Sequence, residues 1–297
     1  MVTRRGRGAA RAARAGALVV ALLTAGPAAR AQDGADGRRR DVGVTMLGNG
    51  LYDVGFVVLA TGALLGGTYV IRPNWGDRAP LDGLGRREHV PHLDRAGDFS
   101  VGLGLGTGAT LALLTELGNG ERGWRVARGP IVVAEGALAA AAFTQLLKNV
   151  FGVCRPRDWE PKGRNCGISG EPAHKSYRER VDEAHRSFPS GHNAPLAGVA
   201  GASMGLYLLP SGRRSEYLPV ALTATGFALT TVVLREQAGA HSWVDTGAAF
   251  LSGGAAGFVV ALLHLEPNPR GSGGAGGETA ATAGAPPPPL VTYGGTF

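Results

Sequence analysis

The chain has little surplus charge, no metal-ligand spacing, no nucleotide-binding glycine loop and only two cysteines, and each shortage removes a class of function. Its formal charge is +7, but residues 1–31 hold six arginines (Arg4, Arg5, Arg7, Arg11, Arg14 and Arg30) and no acid. Without those six, the 30 basic residues become 24 against 23 acidic ones, so no basic face remains for nucleic acid. His89, His92, His174, His185 and His264 lack the spacing of H-E-x-x-H and related metal motifs. No strand followed by Gly-x-Gly-x-x-Gly opens a helix, which removes a dinucleotide fold. Gly102, Gly104, Gly106 and Gly108 instead alternate within an apolar run, as helix packing does. Internal repeats and strand-like alternation are also missing.

The N-terminus reads as a secretory signal over residues 1–31. An arginine-rich start precedes the apolar run Ala15 to Ala25, and Ala29-Arg30-Ala31 forms an A-x-A cleavage pattern. The run is too short to span a bilayer. Residues 32–50 are a charged linker, and residues 266–297, rich in Gly and Pro, lack the apolar content for a core. Between them, residues 51–265 carry six apolar stretches, at about 54–71, 101–117, 129–151, 193–209, 217–234 and 246–264, each long enough for a helix. The expected architecture is all-α, a six-helix bundle embedded in a membrane. Abundant Gly and Ala fit close-packed membrane helices, while Glu116, Glu135 and Gln145 leave a soluble bundle as the alternative. Cys154 and Cys166 bracket a loop and form a possible disulfide; two free thiols are the other reading. Closing that loop would contribute about 3 kcal/mol in the chain-entropy picture.

Three short stretches at the ends of apolar segments carry chemistry together that none carries alone. Lys148 and Arg155, seven residues apart, are expected on one helix face before Pro156 stops the helix, and two cations there suit a dianionic oxygen cluster. In Ser187-Phe-Pro-Ser190-Gly191-His192, Ser190 is expected as a helix N-cap and Gly191 as a tight turn that aims backbone N–H groups at an anion. His192 is then placed to protonate a leaving oxygen. In Arg235-x5-His241-x3-Asp245, the last two are expected on one helical face, the carboxylate orienting the imidazole as a nucleophile. Taken singly, these are a basic helix end, a helix start and a structural His/Asp pair.

The combined pattern resembles the type 2 phosphatidic acid phosphatase and vanadium haloperoxidase superfamily, whose motifs are Lys-x6-Arg-Pro, Pro-Ser-Gly-His and Ser-Arg-x5-His-x3-Asp. The resemblance runs over residues 148–245. It implies a metal-independent phosphohydrolase that needs no cofactor and forms a phosphohistidine intermediate. Phosphate binding would fall to Lys148, Arg155, Ser190, Gly191 and Arg235, with His192 as general acid, His241 as nucleophile and Asp245 as its partner. Leu234 departs from the pattern, standing where the family has Ser, and Val244 replaces a small polar residue.

The leading function is therefore an exported phosphomonoesterase acting on a phosphorylated lipid or pyrophosphate at a membrane, without nucleic acid. The alternatives are a soluble periplasmic acid phosphatase of broad specificity, a vanadate-dependent haloperoxidase and a binding protein with a decayed site. Few residues lie beyond the six-helix core, which argues against the haloperoxidase. Substrate contacts are expected in loops 72–98 and 157–186. Topology sets two expectations against each other. A cleaved signal followed by three spans places the site in the cytoplasm. Arg122, Arg125 and Arg128 in one loop, with Arg213 and Arg214 in another, place it outside by the positive-inside rule. An outward-facing site in the cell envelope is the preferred reading.

Overall fold

The computed structural model describes residues 51–71, 73, 78–81, 88–160, 162, 165–168, 175–208 and 215–264. The signal at 1–31, the linker at 32–50, the tail at 266–297, His174, Arg213 and Arg214 lie outside the described residues. Among the described residues there are seven α-helices: α1 (Leu51–Leu65), α2 (Pro91–Gly118), α3 (Arg128–Phe151), α4 (Tyr177–Ala184), α5 (Asn193–Leu208), α6 (Leu218–Gln237) and α7 (Trp243–Leu263). A π-helical turn, Gly66–Val70, extends α1. A two-stranded antiparallel ribbon pairs β1 (Trp159–Glu160) with β2 (Asn165–Cys166).

Six of these helices coincide with the six apolar stretches; α4 is additional. Its sequence is polar, and it forms because Ser176 and Glu179 close a capping box at its start. The ribbon has no apolar alternation to announce it. α2 begins at Pro91, ten residues before the apolar run, because Pro suits the first helical turn and Asp94 follows in it. The charged turn so added, taken from the expected loop 72–98, reaches the functional site.

α5 is the core of the bundle. It is buried along most of its length and is wrapped by α2, α3, α6 and α7. Its contact with α7 depends on glycine: a Cβ on Gly257 would strike the Gly198 carbonyl, and one on Gly201 would strike that of Gly254. Such small residues let backbones approach where lipid leaves no hydrophobic drive for helix association. In α2, Gly104 and Gly108 face Leu196, Phe227 and Val199, whereas a Cβ on Gly102 or Gly106 would meet nothing within 4 Å among the described residues. The alternating glycines thus split between a packed face and an open one.

Five helical segments are long and apolar enough to cross a membrane: Tyr52–Val70, Pro91–Gly118, Gly123–Phe151, Leu218–Gln237 and Trp243–Leu263. Their outward faces carry Leu59, Tyr69, Phe99, Leu114, Leu229 and Leu251, all exposed, while Ala112, Val132, Val199, Val220 and Val260 turn inward. A protein in water would bury such faces; lipid has no reason to exclude them. The fold is an all-α membrane bundle.

Candidate active site

α3 delivers Lys148, buried in its last turn. The helix stops at Gly152, not at Pro156: Gly152 adopts φ 56° and its N–H bonds the Lys148 carbonyl, a left-handed cap that glycine tolerates. Arg155 therefore does not share a helical face with Lys148. It returns toward Lys148 through a loop in which Cys154 N–H donates to Arg78 O (2.9 Å) and Arg155 N–H to Ala184 O (2.9 Å). Glu183 on α4 holds the Arg155 guanidinium at 3.2 Å. The Sγ atoms of Cys154 and Cys166 are bonded, with Cα atoms 5.6 Å apart, so the loop is tied to β2 one residue before Arg155.

The second stretch is anchored at both ends. Ser187 N–H donates to Val153 O (3.0 Å), its hydroxyl donates to Asp245 Oδ2 (2.5 Å), and Ser190 N–H donates to Asp245 O (3.0 Å). The Phe188–Pro189 peptide is cis. α5 begins only at Asn193, so Ser190 lies outside the capping position, and its buried Oγ has no hydrogen-bond partner among the described residues. Gly191 faces Lys148: a Cβ there would lie 3.0 Å from Nζ. Any side chain would push against the lysine's charged end.

The third stretch straddles a helix break. α6 carries buried Arg235 in its last turn, and after Gly239 (φ 70°) the chain turns into His241. α7 starts at Trp243 with Ser242 as N-cap and Asp245 closing a capping box. His241 thus precedes the helix and does not share its face with Asp245. Asp245 Oδ2 accepts from Ser187 Oγ and from Ser242 N–H (2.9 Å) and stands 3.8 Å from His241 Nδ1, beyond hydrogen-bond reach. The pair is brought together by the N-cap turn.

The three stretches converge at one end of the bundle. The His192 and His241 rings are 6.2 Å apart, and Lys148, Arg155 and Arg235 all act on His241 electrostatically. Burial first, then the charges of Lys148 and Arg155, keep the His241 imidazole well below its ordinary value, so it stays neutral and nucleophilic. Burial also pulls His192 down to about 4, with Arg235 and Lys148 adding to it and the Asp98 hydrogen bond opposing it. The positive charge of Arg155 draws Glu183 down to about 2 against the effect of burial. Leu234 is half-buried on α6, and Val244 is exposed.

Three acidic residues absent from the sequence reading belong here. Asp98 meets His192 Nε2 at 3.0 Å and also pairs with Arg235, while Asp94 pairs with Arg235 and, at 2.9 Å, with Arg157. Glu183 is the third. Pro91 with Asp94 and Asp98 one turn apart was a readable helix start; nothing local marked Glu183. Buried polar atoms without hydrogen-bond partners among the described residues gather at this end: Ser190 Oγ, His192 Nδ1, Arg235 Nε, both His241 ring nitrogens and Asp245 Oδ1. Buried polar groups are ordinarily satisfied, and such a cluster among cations fits a multidentate anion.

A family model described as the PAP2 superfamily matches residues 130–268. The match takes in Lys148, Arg155, Ser190, Gly191, His192, Arg235, His241 and Asp245 and leaves Asp94 and Asp98 outside. Neither the curated proteins nor the solved structures contain a significant match to the chain.

Proposed function

Residues 130–268 belong to the PAP2 superfamily, whose members are phosphatases and related hydrolases, and on that premise we propose that the chain removes phosphate from a lipid phosphate or pyrophosphate through a phosphohistidine at His241. The observation that carries the reading is the group of buried, unpartnered polar atoms on Ser190, His192, Arg235, His241 and Asp245, ringed by Lys148 and Arg155. A tetrahedral phosphate brings acceptor oxygens to the donors among them, Ser190 Oγ and Arg235 Nε, and places its phosphorus before His241, whose other ring nitrogen can then turn to Asp245.

In the proposed reaction, Lys148, Arg155 and Arg235 hold the non-bridging oxygens with Ser190 Oγ and the Gly191 N–H. His241 Nε2 attacks phosphorus, the bond from phosphorus to the lipid oxygen breaks, and His192 gives that oxygen its proton. Water then attacks the phosphohistidine, His192 takes the proton from it, and phosphate leaves with His241 restored. Asp245 Oδ1 has no partner among the described residues, so a turn of the imidazole that brings Nδ1–H onto it fixes the tautomer and supports the positive ring of the intermediate. The cations do the work a metal does in other phosphatases, and no step calls for one.

The five apolar helices support a membrane-borne substrate. Arg122 and Arg125 lie between α2 and α3 and Arg128 opens α3, all at the end of the bundle away from His192 and His241. By the positive-inside rule this supports an outward-facing catalytic end. α1 also starts at the arginine end, where Asp53 meets His264. In this orientation α1 enters the membrane from the cytoplasmic side, which stands against the cleaved signal expected over residues 1–31. Alkaline phosphatase fused after residue 168 should be active and fused after residue 120 inactive; the reverse pattern overturns the orientation.

The chemistry is tested by rapid quench with a labelled phosphate ester. Wild type should trap an acid-labile, base-stable phosphoenzyme, and His241→Ala should trap none and lose turnover. Full activity in His241→Ala refutes the nucleophile.

A further inference from the structure

At the end of the bundle opposite the catalytic histidines, three side chains from three distant helices meet in the interior. Asp53 from the first turn of α1, Glu135 from α3 and His264 just past α7 are all buried. His264 Nδ1 lies 2.8 Å from the Val260 carbonyl. A carbonyl only accepts, so Nδ1 carries a hydrogen. In the neutral ring the lone pair is then on Nε2, which faces two carboxylate oxygens, Glu135 Oε2 at 3.0 Å and Asp53 Oδ1 at 3.2 Å. A lone pair on Nε2 facing two carboxylate oxygens is repulsive, and a bound cation or a proton on Nε2 relieves that repulsion.

We infer that Asp53, Glu135 and His264 bind one divalent transition-metal ion of the zinc type. Three observations carry this. Imidazole and carboxylate ligands about 2.0–2.2 Å from Zn²⁺ stand about 3.3 Å from each other in a tetrahedral site, so a shift of a few tenths of an ångström from the 3.0 and 3.2 Å separations, which are also hydrogen-bond lengths, admits the ion. The N–H of a metal-bound histidine is held by a carbonyl or carboxylate behind it, the role Val260 fills. Glu135 Oε1 is buried without a hydrogen-bond partner among the described residues and offers a further ligand oxygen. The alternative, an imidazolium, has its own support. Burial lowers the proton affinity of His264, but the Glu135 hydrogen bond and the carboxylate charges raise it beyond that.

The ion fastens the outermost helix. α1 exposes Val58 and Leu59 and packs mainly on α3. Its far end is held by Asn149 Nδ2 and Gln145 Nε2, which donate to Gly67 O at 2.6 and 3.2 Å. A cation at Asp53 secures the near end to both α3 and α7. The site is remote from His241, so it stabilises the bundle without entering the reaction.

The test uses the full chain, purified in detergent without a histidine tag. Elemental analysis should find about one equivalent of Zn²⁺ per chain. After EDTA treatment, ZnCl₂ at a hundredfold excess over Kd should raise Tm by roughly 5–10 °C. Glu135→Gln and His264→Gln should lose the bound metal and at least tenfold in Zn²⁺ affinity, while stripped wild type still turns over phosphate ester well below its Tm. A wild type that neither retains Zn²⁺ nor gains stability from it contains an imidazolium instead, and the site is overturned. It is equally overturned if both variants respond to Zn²⁺ as wild type does, because the ion is then bound elsewhere. The wild-type measurements decide even if a variant fails to fold.

Discussion

Asp98, in the charged first turns of α2, stands 3.0 Å from Nε2 of His192 at the start of α5, and the same carboxylate engages Arg235. One acidic side chain thus touches both the proposed proton donor and a proposed phosphate ligand. Its negative charge acts on both in one sense: it favours the positive form of the imidazole and offsets part of the guanidinium's positive field.

The first prediction follows from that contact. A general acid must be protonated, and His192 is held near 4 in the free protein, so kcat/KM, which reports the free enzyme, should fall as pH rises above that value. A bound phosphate adds negative charge beside His192 and raises its affinity for a proton, so the falling limb of kcat should lie at higher pH than that of kcat/KM. Asp98→Asn removes a group that favours the charged ring. The kcat/KM limb should move down by about one pH unit, the scale of one charge-assisted hydrogen bond. An equal loss at every pH would reduce Asp98 to a structural role.

Leaving-group dependence tests His192 itself. His192→Ala should cost about 10²–10⁴-fold on an alkyl phosphate, the usual range for general acid catalysis, and far less on p-nitrophenyl phosphate, whose phenolate departs without a proton. Similar losses on both substrates would assign His192 to phosphate binding.

Chelation and vanadate test what holds the phosphate. Lys148, Arg155 and Arg235 supply the positive charge, so EDTA should leave turnover intact at temperatures where the protein stays folded. Vanadate should inhibit by matching the trigonal-bipyramidal transition state. Activity that returns only with added Mg²⁺ or Zn²⁺ would refute the cation-only site.

The disulfide is tested through KM. Cys154 adjoins Arg155 and is bonded to Cys166, whereas His241 and Asp245 are held by α6 and α7. Cys166→Ser should raise KM by roughly tenfold, about 1.4 kcal/mol at one phosphate contact, with a smaller drop in kcat. Unchanged kinetics after verified reduction would show that the bridge does not position Arg155.

Much of the site is legible in one dimension because its parts are short and each is tied to a helix end. Lys148, Ser190, Gly191, His192, Arg235, His241 and Asp245 sit in local patterns whose residue types alone name the chemistry, and the apolar runs between them give the helices. Spacing misled where a helix end intervened. Gly152 turns left-handed before Arg155, and Ser242 caps α7 after His241, so equal spacing along the chain did not mean one face. A run of apolar residues marks the buried or lipid-facing length of a helix and not its polar first turns, which is why α2 was expected ten residues late.

By itself, the sequence determined that the chain forms apolar helices and that cations, histidines and a carboxylate recur at their ends, because propensity, hydropathy and turn chemistry act over a few residues. Only the tertiary structure decided which ends meet. Asp98 reaches Arg235 across 137 residues of chain, Asp53 reaches His264 across 211, and Glu183 closes on Arg155 from a helix with no apolar signal. α2 packs directly on α6, and α7 is drawn against α5 where Gly198 meets Gly257 and Gly201 meets Gly254. A charge carries no address in sequence; it finds its partner only after the helices have packed.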